Sequence, residues 1–174
     1  MAEINSLIKY LDEHREDRGL MASLRRGLRL KGGLAPEVSR IVQGRLAENA
    51  SWWLESAYYL IAPLYAFHNQ PGGDGNMGDH FRALCEPGED MPSSIERRFM
   101  FLLSSGPDEI NDSLRQAISL LRSKQVPVNW GELLQNIIDW KHPNSERRER
   151  VQKEWARRFW RSRLPENSSP ETTN

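Results

Sequence analysis

Apolar residues recur every three to four positions along almost the whole chain, and no segment alternates convincingly at period two. Ile4, Leu7, Ile8 and Leu11 mark a first amphipathic helix, and Leu20, Leu24 and Leu28 a second that ends near Gly32-Gly33. Pro36 suits a first helical position, with Val38, Ile41 and Val42 turned inward. The most apolar stretch, "ASWWLESAYYLIAPLYAFH", predicts the central helix, kinked at Pro63 because proline removes one backbone hydrogen bond and crowds the preceding turn. "NQPGGDGNMGDH" packs four glycines and a proline into twelve residues and reads as a mobile surface loop. "HFRALC" follows as a short helix that "EPGEDMP" breaks.

In "SSIERRFMFLL", Ser93 with Glu96 three residues on has the form of a capping box. "PDEINDSLRQAISLLRSK" starts on Pro107 and acids and ends on Arg122 and Lys124, the charge order a helix dipole favours. Asn129 can cap "WGELLQNIIDWK", and the last helix, about 145–164, buries Val151, Trp155 and Phe159. The tail 165–174 has nothing to bury and is expected to be disordered. The fold class is all-α. With 174 residues, the chain suffices for one compact domain or two small subdomains sharing a core.

Charge adds what periodicity does not. The formal net charge is zero, yet residues 15–45 and 145–163 each carry eight Arg/Lys against three acids, while residues 46–96 hold eight acids against Arg82 alone. Such segregation concerns partners rather than fold. The cations are overwhelmingly arginine, whose planar fork suits bidentate contacts to phosphate or carboxylate. No apolar run approaches the ~20 residues of a membrane span, the first residues lack a signal-peptide apolar core, and the single cysteine, Cys85, excludes an internal disulfide. A cytoplasmic location is expected.

Catalytic and metal chemistry find little support. His68 and His80 flank the glycine-rich loop near Asp74 and Asp79, without a recognised ligand spacing, and read as exposed loop polars. Cys85 has no base placed beside it, the loop lacks a Walker pattern, and Glu132 with Asp139 on one helix face is explained by solvation. No enzyme activity, metal or cofactor is expected. The arginines do organise: Arg25 and Arg29 share a face beside Arg26; Arg115 and Arg122 lie seven apart, with Lys124 extending their row. Arg147, Arg150, Lys153, Arg157 and Arg161 advance by three or four along one side of the last helix, while Arg148, Arg158 and Arg163 flank its apolar stripe. Two readings stay open on spacing alone: stripes that follow a phosphate backbone, or charged contacts between protein chains, with the acidic middle supplying ordinary surface ion pairs. Trp130 and Trp155 read as core. Trp160, beside Phe159 and among arginines, is open between packing and base stacking.

The ordered set "SSIERRFMFLL", "LRQAISLLRSKQVPVNWGELLQNIIDW" and "VQKEWARRFW", preceded by "SLRRGLR", "YYLIAPLYAFH" and a "GxxFRAL" segment, resembles the CasB family, the small subunit of the type I-E CRISPR Cascade complex. The resemblance spans roughly residues 4–162. It implies eight to nine helices in two adjoining bundles (1–90 and 91–164), present as a head-to-tail pair. It also implies contacts with the backbone and large subunits, and a non-catalytic basic surface holding CRISPR RNA, target DNA and the displaced strand. On the matching segments it implicates Arg25, Arg26, Arg29, Arg97, Arg98, Arg115, Arg122, Arg157 and Arg158. Lys124, Lys141, Arg147 and Arg148 join them from charge and helical position only. The alternative is a structural adaptor whose arginines dock onto acidic neighbours. Within the "ERRF" pair, the helical wheel sets Arg98 at the edge of the Ile95/Phe99/Leu102 face and Arg97 away from it. Arg98 is thus expected to be structural and Arg97 to be free for phosphate.

Overall fold

The central apolar segment forms a helix buried on every side. In the computed structural model, which describes residues 4–30, 34–85 and 90–160, helix α4 (Trp52–Phe67) has every residue from Ala57 to Ala66 buried. A helix apolar all round must be enclosed by others, and α4 is. It packs against α1 (Ile4–Glu13), α2 (Arg18–Arg26), α3 (Pro36–Gln43) and α8 (Trp130–Lys141). The remaining helices are α5 (Met77–Arg82), α6 (Ser93–Leu103), α7 (Ile110–Ser123) and α9 (Ser145–Trp160), with a 3-10 turn at Gly27–Arg29. No strand occurs among the described residues.

Each amphipathic helix buries the stripe its spacing predicts: Leu7 and Leu11 on α1, Val38, Ile41 and Val42 on α3, and Val151, Trp155 and Phe159 on α9. Trp140 and Trp155 pack ring to ring at 4.9 Å, and the Trp155 indole N–H donates to Asn136 Oδ1 at 2.6 Å, so that a buried polar group is satisfied as the indole is enclosed. Phe99 of α6 lies between Phe81 of α5 and Phe159 of α9, at 5.2 and 4.1 Å. Helix contacts cross the expected boundary near residue 90 repeatedly, most extensively α4 against α8 and α5 against α9, and one hydrophobic cluster runs through both halves.

α4 runs through Pro63 to Phe67. Elsewhere several local expectations change. The glycine-rich segment is partly helical: Asn76 caps α5 by accepting from Gly78 N at 2.8 Å, and Asp79 Oδ2 accepts from Asn76 N at 2.8 Å. The helix therefore begins at Met77, three residues before "HFRALC". The rest of that loop lies against residues 126–129, so closely that a Cβ on Gly73 would fall 2.1 Å from the Val128 carbonyl carbon. Ser93 does not cap α6. The N-cap position is Pro92, whose carbonyl accepts from the N–H groups of Ile95 and Glu96, and Glu96 instead accepts from the Trp160 indole at 3.1 Å. Asn129 does cap α8, accepting from Glu132 N at 3.1 Å. The expected Gly32-Gly33 helix end and the tail 165–174, together with Lys31, Arg161 and Arg163, lie outside the described residues.

Candidate nucleic-acid interface

The seam between α2, α4 and α7 carries a polar cleft of about 360 Å³ lined by four arginines. Arg15 comes from the turn after α1, Arg18 and Arg25 from α2, and Arg122 from the last turn of α7. The local sequence dictates this convergence. Asp17 N-caps α2 by accepting from Leu20 N at 2.9 Å, which fixes the turn that presents Arg15 and Arg18. Met21 and Leu24 sink into the core and leave Arg25 outward, its Nε donating to the Met21 carbonyl at 3.1 Å. Arg122 rests its guanidinium 4.2 Å from the centre of the Phe67 ring, a cation–π seat that leaves its N–H donors at the rim. Among the described residues Glu16 is the one carboxylate lining the cleft, 3.6 Å from Arg15 Nε and with its own side chain almost wholly in solvent. Arg15 and Arg18 are residues of the cleft that the helical-spacing argument misses, because one sits in the turn before α2 and the other at its first position; the basic density of "HREDR" is their sole trace in the sequence.

The other candidate cations disperse. Arg26 pairs with Glu37 at 3.5 Å, while Arg29 is exposed without an ion pair among the described residues. Arg115 leaves the row it was expected to share with Arg122: its Nη2 donates to the Leu28 carbonyl, in a different cleft. Lys124 is exposed at the end of α7. Lys141 is not a surface cation at all. It is 5% exposed, its Nζ donates to Asn111 Oδ1 at 2.8 Å, and burial pulls its pKa below the usual lysine value, Asp108 opposing this.

Asp139, read as solvated, is buried. It receives Arg147 at 3.4 Å and Arg150 at 3.3 Å, which ties the start of α9 to α8. Arg157 pairs with Glu154 and Arg158 with Asp79 at 3.9 Å, while Arg148, near the start of the same helix, is half-buried. Exposed pairs of this kind are worth about 0–1 kcal/mol, little enough for phosphate to displace them.

Arg97 and Arg98 do not divide as expected. Both are exposed, neither makes an ion pair among the described residues, and both line one groove of about 390 Å³ with Phe81, Phe101 and Leu120. The wheel places Arg98 nearer the apolar face, yet Phe99 and Leu102 close that face without it. Arg97→Ala and Arg98→Ala are accordingly expected to unfold within about 0.5 kcal/mol of each other in urea. A clear excess loss for Arg98→Ala would restore the structural role.

The two histidines are buried rather than exposed. His68 Nε2 donates to the Val126 carbonyl at 2.6 Å, and His80 Nε2 accepts from Asn129 N at 3.1 Å. They stitch the 68–76 loop and α5 to the segment before α8, helped by the Trp130 indole donating to the His68 carbonyl at 3.2 Å. Among the described residues no three His, Cys, Asp or Glu side chains gather as metal donors, and no helix is long and apolar enough to cross a membrane. Trp160 is packed, edge-on to Phe99 at 5.6 Å. Tyr65, buried and donating to Asp12 Oδ1 at 2.5 Å, is likewise a structural group. Burial first and Asp12 second hold its phenol far above the ordinary range.

These features define the class: an all-helical protein that gathers arginines in one surface cleft. It belongs to the Cse2 family of CRISPR-associated proteins, whose family model, "CRISPR-associated protein Cse2", matches residues 20–160. That family is not known for enzymatic activity. The chain is 33% identical over 142 residues to the CRISPR-associated protein Cse2 of Thermus thermophilus, covering 80% of this chain and 77% of that one. Its structure is similar to M. ruber CasB, with a TM-score of 0.74 at 30% identity over 92% of this chain and 93% of that one. It also shares its fold with a chain of a CRISPR RNA-guided surveillance complex, at a TM-score of 0.71 and 23% identity over 92% of each.

Proposed function

We propose that the protein is a non-catalytic subunit of a CRISPR RNA-guided surveillance complex that grips nucleic-acid backbones without reading sequence. In such a complex it would stabilise CRISPR RNA, target DNA and the displaced strand, in the cytoplasm, as a head-to-tail pair beside the backbone and large subunits. The observation that carries the reading is the convergence of Arg15, Arg18, Arg25 and Arg122, from three parts of the chain, on one cleft with a single exposed carboxylate. Guanidinium groups so clustered repel one another unless an anion lies between them, and a phosphodiester backbone supplies such anions at regular spacing. Contacts of guanidinium groups to phosphate carry no sequence information, which suits a protein that leaves discrimination to guide pairing. Exchange of a DNA duplex for a guide heteroduplex is nearly balanced, so a few backbone contacts can decide its outcome.

The test is a salt series of nucleic-acid affinity, for single- and double-stranded DNA and for RNA, comparing the wild type with a combined Arg18→Gln, Arg25→Gln, Arg122→Gln variant. The wild type is expected to weaken steeply between roughly 50 and 200 mM salt, and the variant to lose about one unit of log–log slope per phosphate contact removed. Equal slopes for the two proteins would sink the reading. If the variant then also fell out of an otherwise assembled complex, the arginines would be docking onto protein, as an adaptor requires.

A further inference from the structure

Of the five large hydrophobic side chains exposed among the described residues, three (Leu30, Leu34 and Trp52, at 47%, 63% and 58%) line one cleft of about 500 Å³. The cleft lies where the 3-10 turn after α2 meets α4 and the start of α7. Exposed apolar side chains scattered singly need no explanation, but three gathered in one concavity mark a contact surface. Trp52 is held as an anchor point by Trp53, whose ring meets it edge-on at 5.9 Å and is itself packed against His142 at 4.8 Å.

The charge around this apolar floor is opposite to that of the arginine cleft. Glu55, Asp108 and Asp112 stand on its rim. Among the described residues the one cationic side chain lining it is Arg115, committed in part to the Leu28 carbonyl. Lys141, which bonds to the lining residue Asn111, is itself buried. A rim of three carboxylates disfavours phosphate, so the occupant is not a nucleic acid. An apolar floor inside an acidic rim fits a protein segment with an aromatic or aliphatic anchor flanked by Lys or Arg.

The geometry points to this cleft as a docking site for a basic, apolar-anchored segment of a partner protein. It is a second interaction surface, and it stands whether or not the arginine cleft binds nucleic acid. These carboxylates are not taken up by the protein's own arginines: Asp108, Asp112 and Glu55 form no salt bridge among the described residues. Glu55 accepts instead from the neutral Gln43 amide at 2.6 Å.

The probe is a pair of synthetic peptides of equal length sharing one Trp and one Leu anchor, flanked by Lys/Arg in one and by Glu in the other. The full chain is titrated while the Trp52 indole N–H is followed by NMR. The basic peptide is expected to bind, to shift that resonance and to weaken with salt. Trp52→Ala and Asp112→Arg should each lower its affinity about tenfold, and the acidic peptide should not bind. Equal binding of both peptides, no shift at Trp52, or indifference to Asp112→Arg would overturn the proposal. So would displacement of the basic peptide by a single-stranded oligonucleotide. Self-association of the wild type abolished by Trp52→Ala would also overturn it, by making a second copy of the chain the occupant.

Discussion

Gly78→Ala is expected to destabilise the protein by about 3 kcal/mol, although alanine is the better helix former by about 1 kcal/mol. Gly78 lies in the first turn of α5, on the side that packs against α9. A Cβ there would sit 2.1 Å from the carbonyl oxygen of Trp155 and 2.9 Å from both Arg158 Cβ and Phe159 N. The first of those atoms belongs to the backbone of the long helix that carries Trp155 and Phe159 into the core, so no side chain can turn aside to make room. Relief requires α5 to move off α9, which would open the contacts of Met77 and Phe81, both almost fully buried. Gly131→Ala is the matched control. That glycine is also helical, but its added Cβ would meet only Asn129 Oδ1, at 3.7 Å, so propensity should act alone and leave stability unchanged or slightly raised. Urea unfolding of the three proteins measures both effects. A midpoint for Gly78→Ala at or above that of the wild type would show that the two helices do not meet as described.

Gly78 also marks the limit of what sequence pattern can convey. Counting four glycines and a proline in twelve residues identifies a loop, although Met77 to His80 of that stretch are helical. A glycine required by a helix far along the chain, however, looks the same as one required by a turn. Periodicity, a local property, located nearly every helix, the Asn129 cap and the Val151/Trp155/Phe159 stripe. It could not foresee that Asp139 would be buried by two arginines from the next helix, or that Lys141 would be drawn inside by Asn111, because both depend on which helix arrives opposite.

The candidate interface was legible to the same degree. Arg25 and Arg122 were identified as exposed helical cations, and they do face one cleft. Arg115, on the same face as Arg122 but two turns earlier, was separated from it by what packs alongside: the Leu28 carbonyl in one case and the Phe67 ring in the other. Helical spacing fixes the direction of a side chain. The neighbouring element decides its chemistry.

A loss of stability by about 3 kcal/mol is expected when the pH falls from about 7 to about 4, traceable to His80 alone. Burial lowers the pKa of this histidine from the ordinary 6.5 to about 4; the nearby Asp79 and Asp74 oppose the shift, and His68 adds to it slightly. The unfolded chain binds a proton at His80 below about pH 6.5, whereas the folded protein resists until about pH 4. The contribution is therefore complete above the upper value, declines through the interval and is gone below the lower. Geometry gives the same sign. His80 Nε2 accepts the Asn129 backbone N–H, so a proton on that nitrogen would set two donors against each other. Asn129 is also the residue whose side chain caps α8, so the strain would reach the start of the helix that packs on α4. His80→Gln keeps an acceptor within reach of Asn129 and cannot titrate. Its stability should fall with pH less steeply than that of the wild type over this interval, by up to about 3 kcal/mol, in urea unfolding at matched pH values. Parallel profiles for the two proteins would remove His80 as the source and leave the acid sensitivity to the carboxylates.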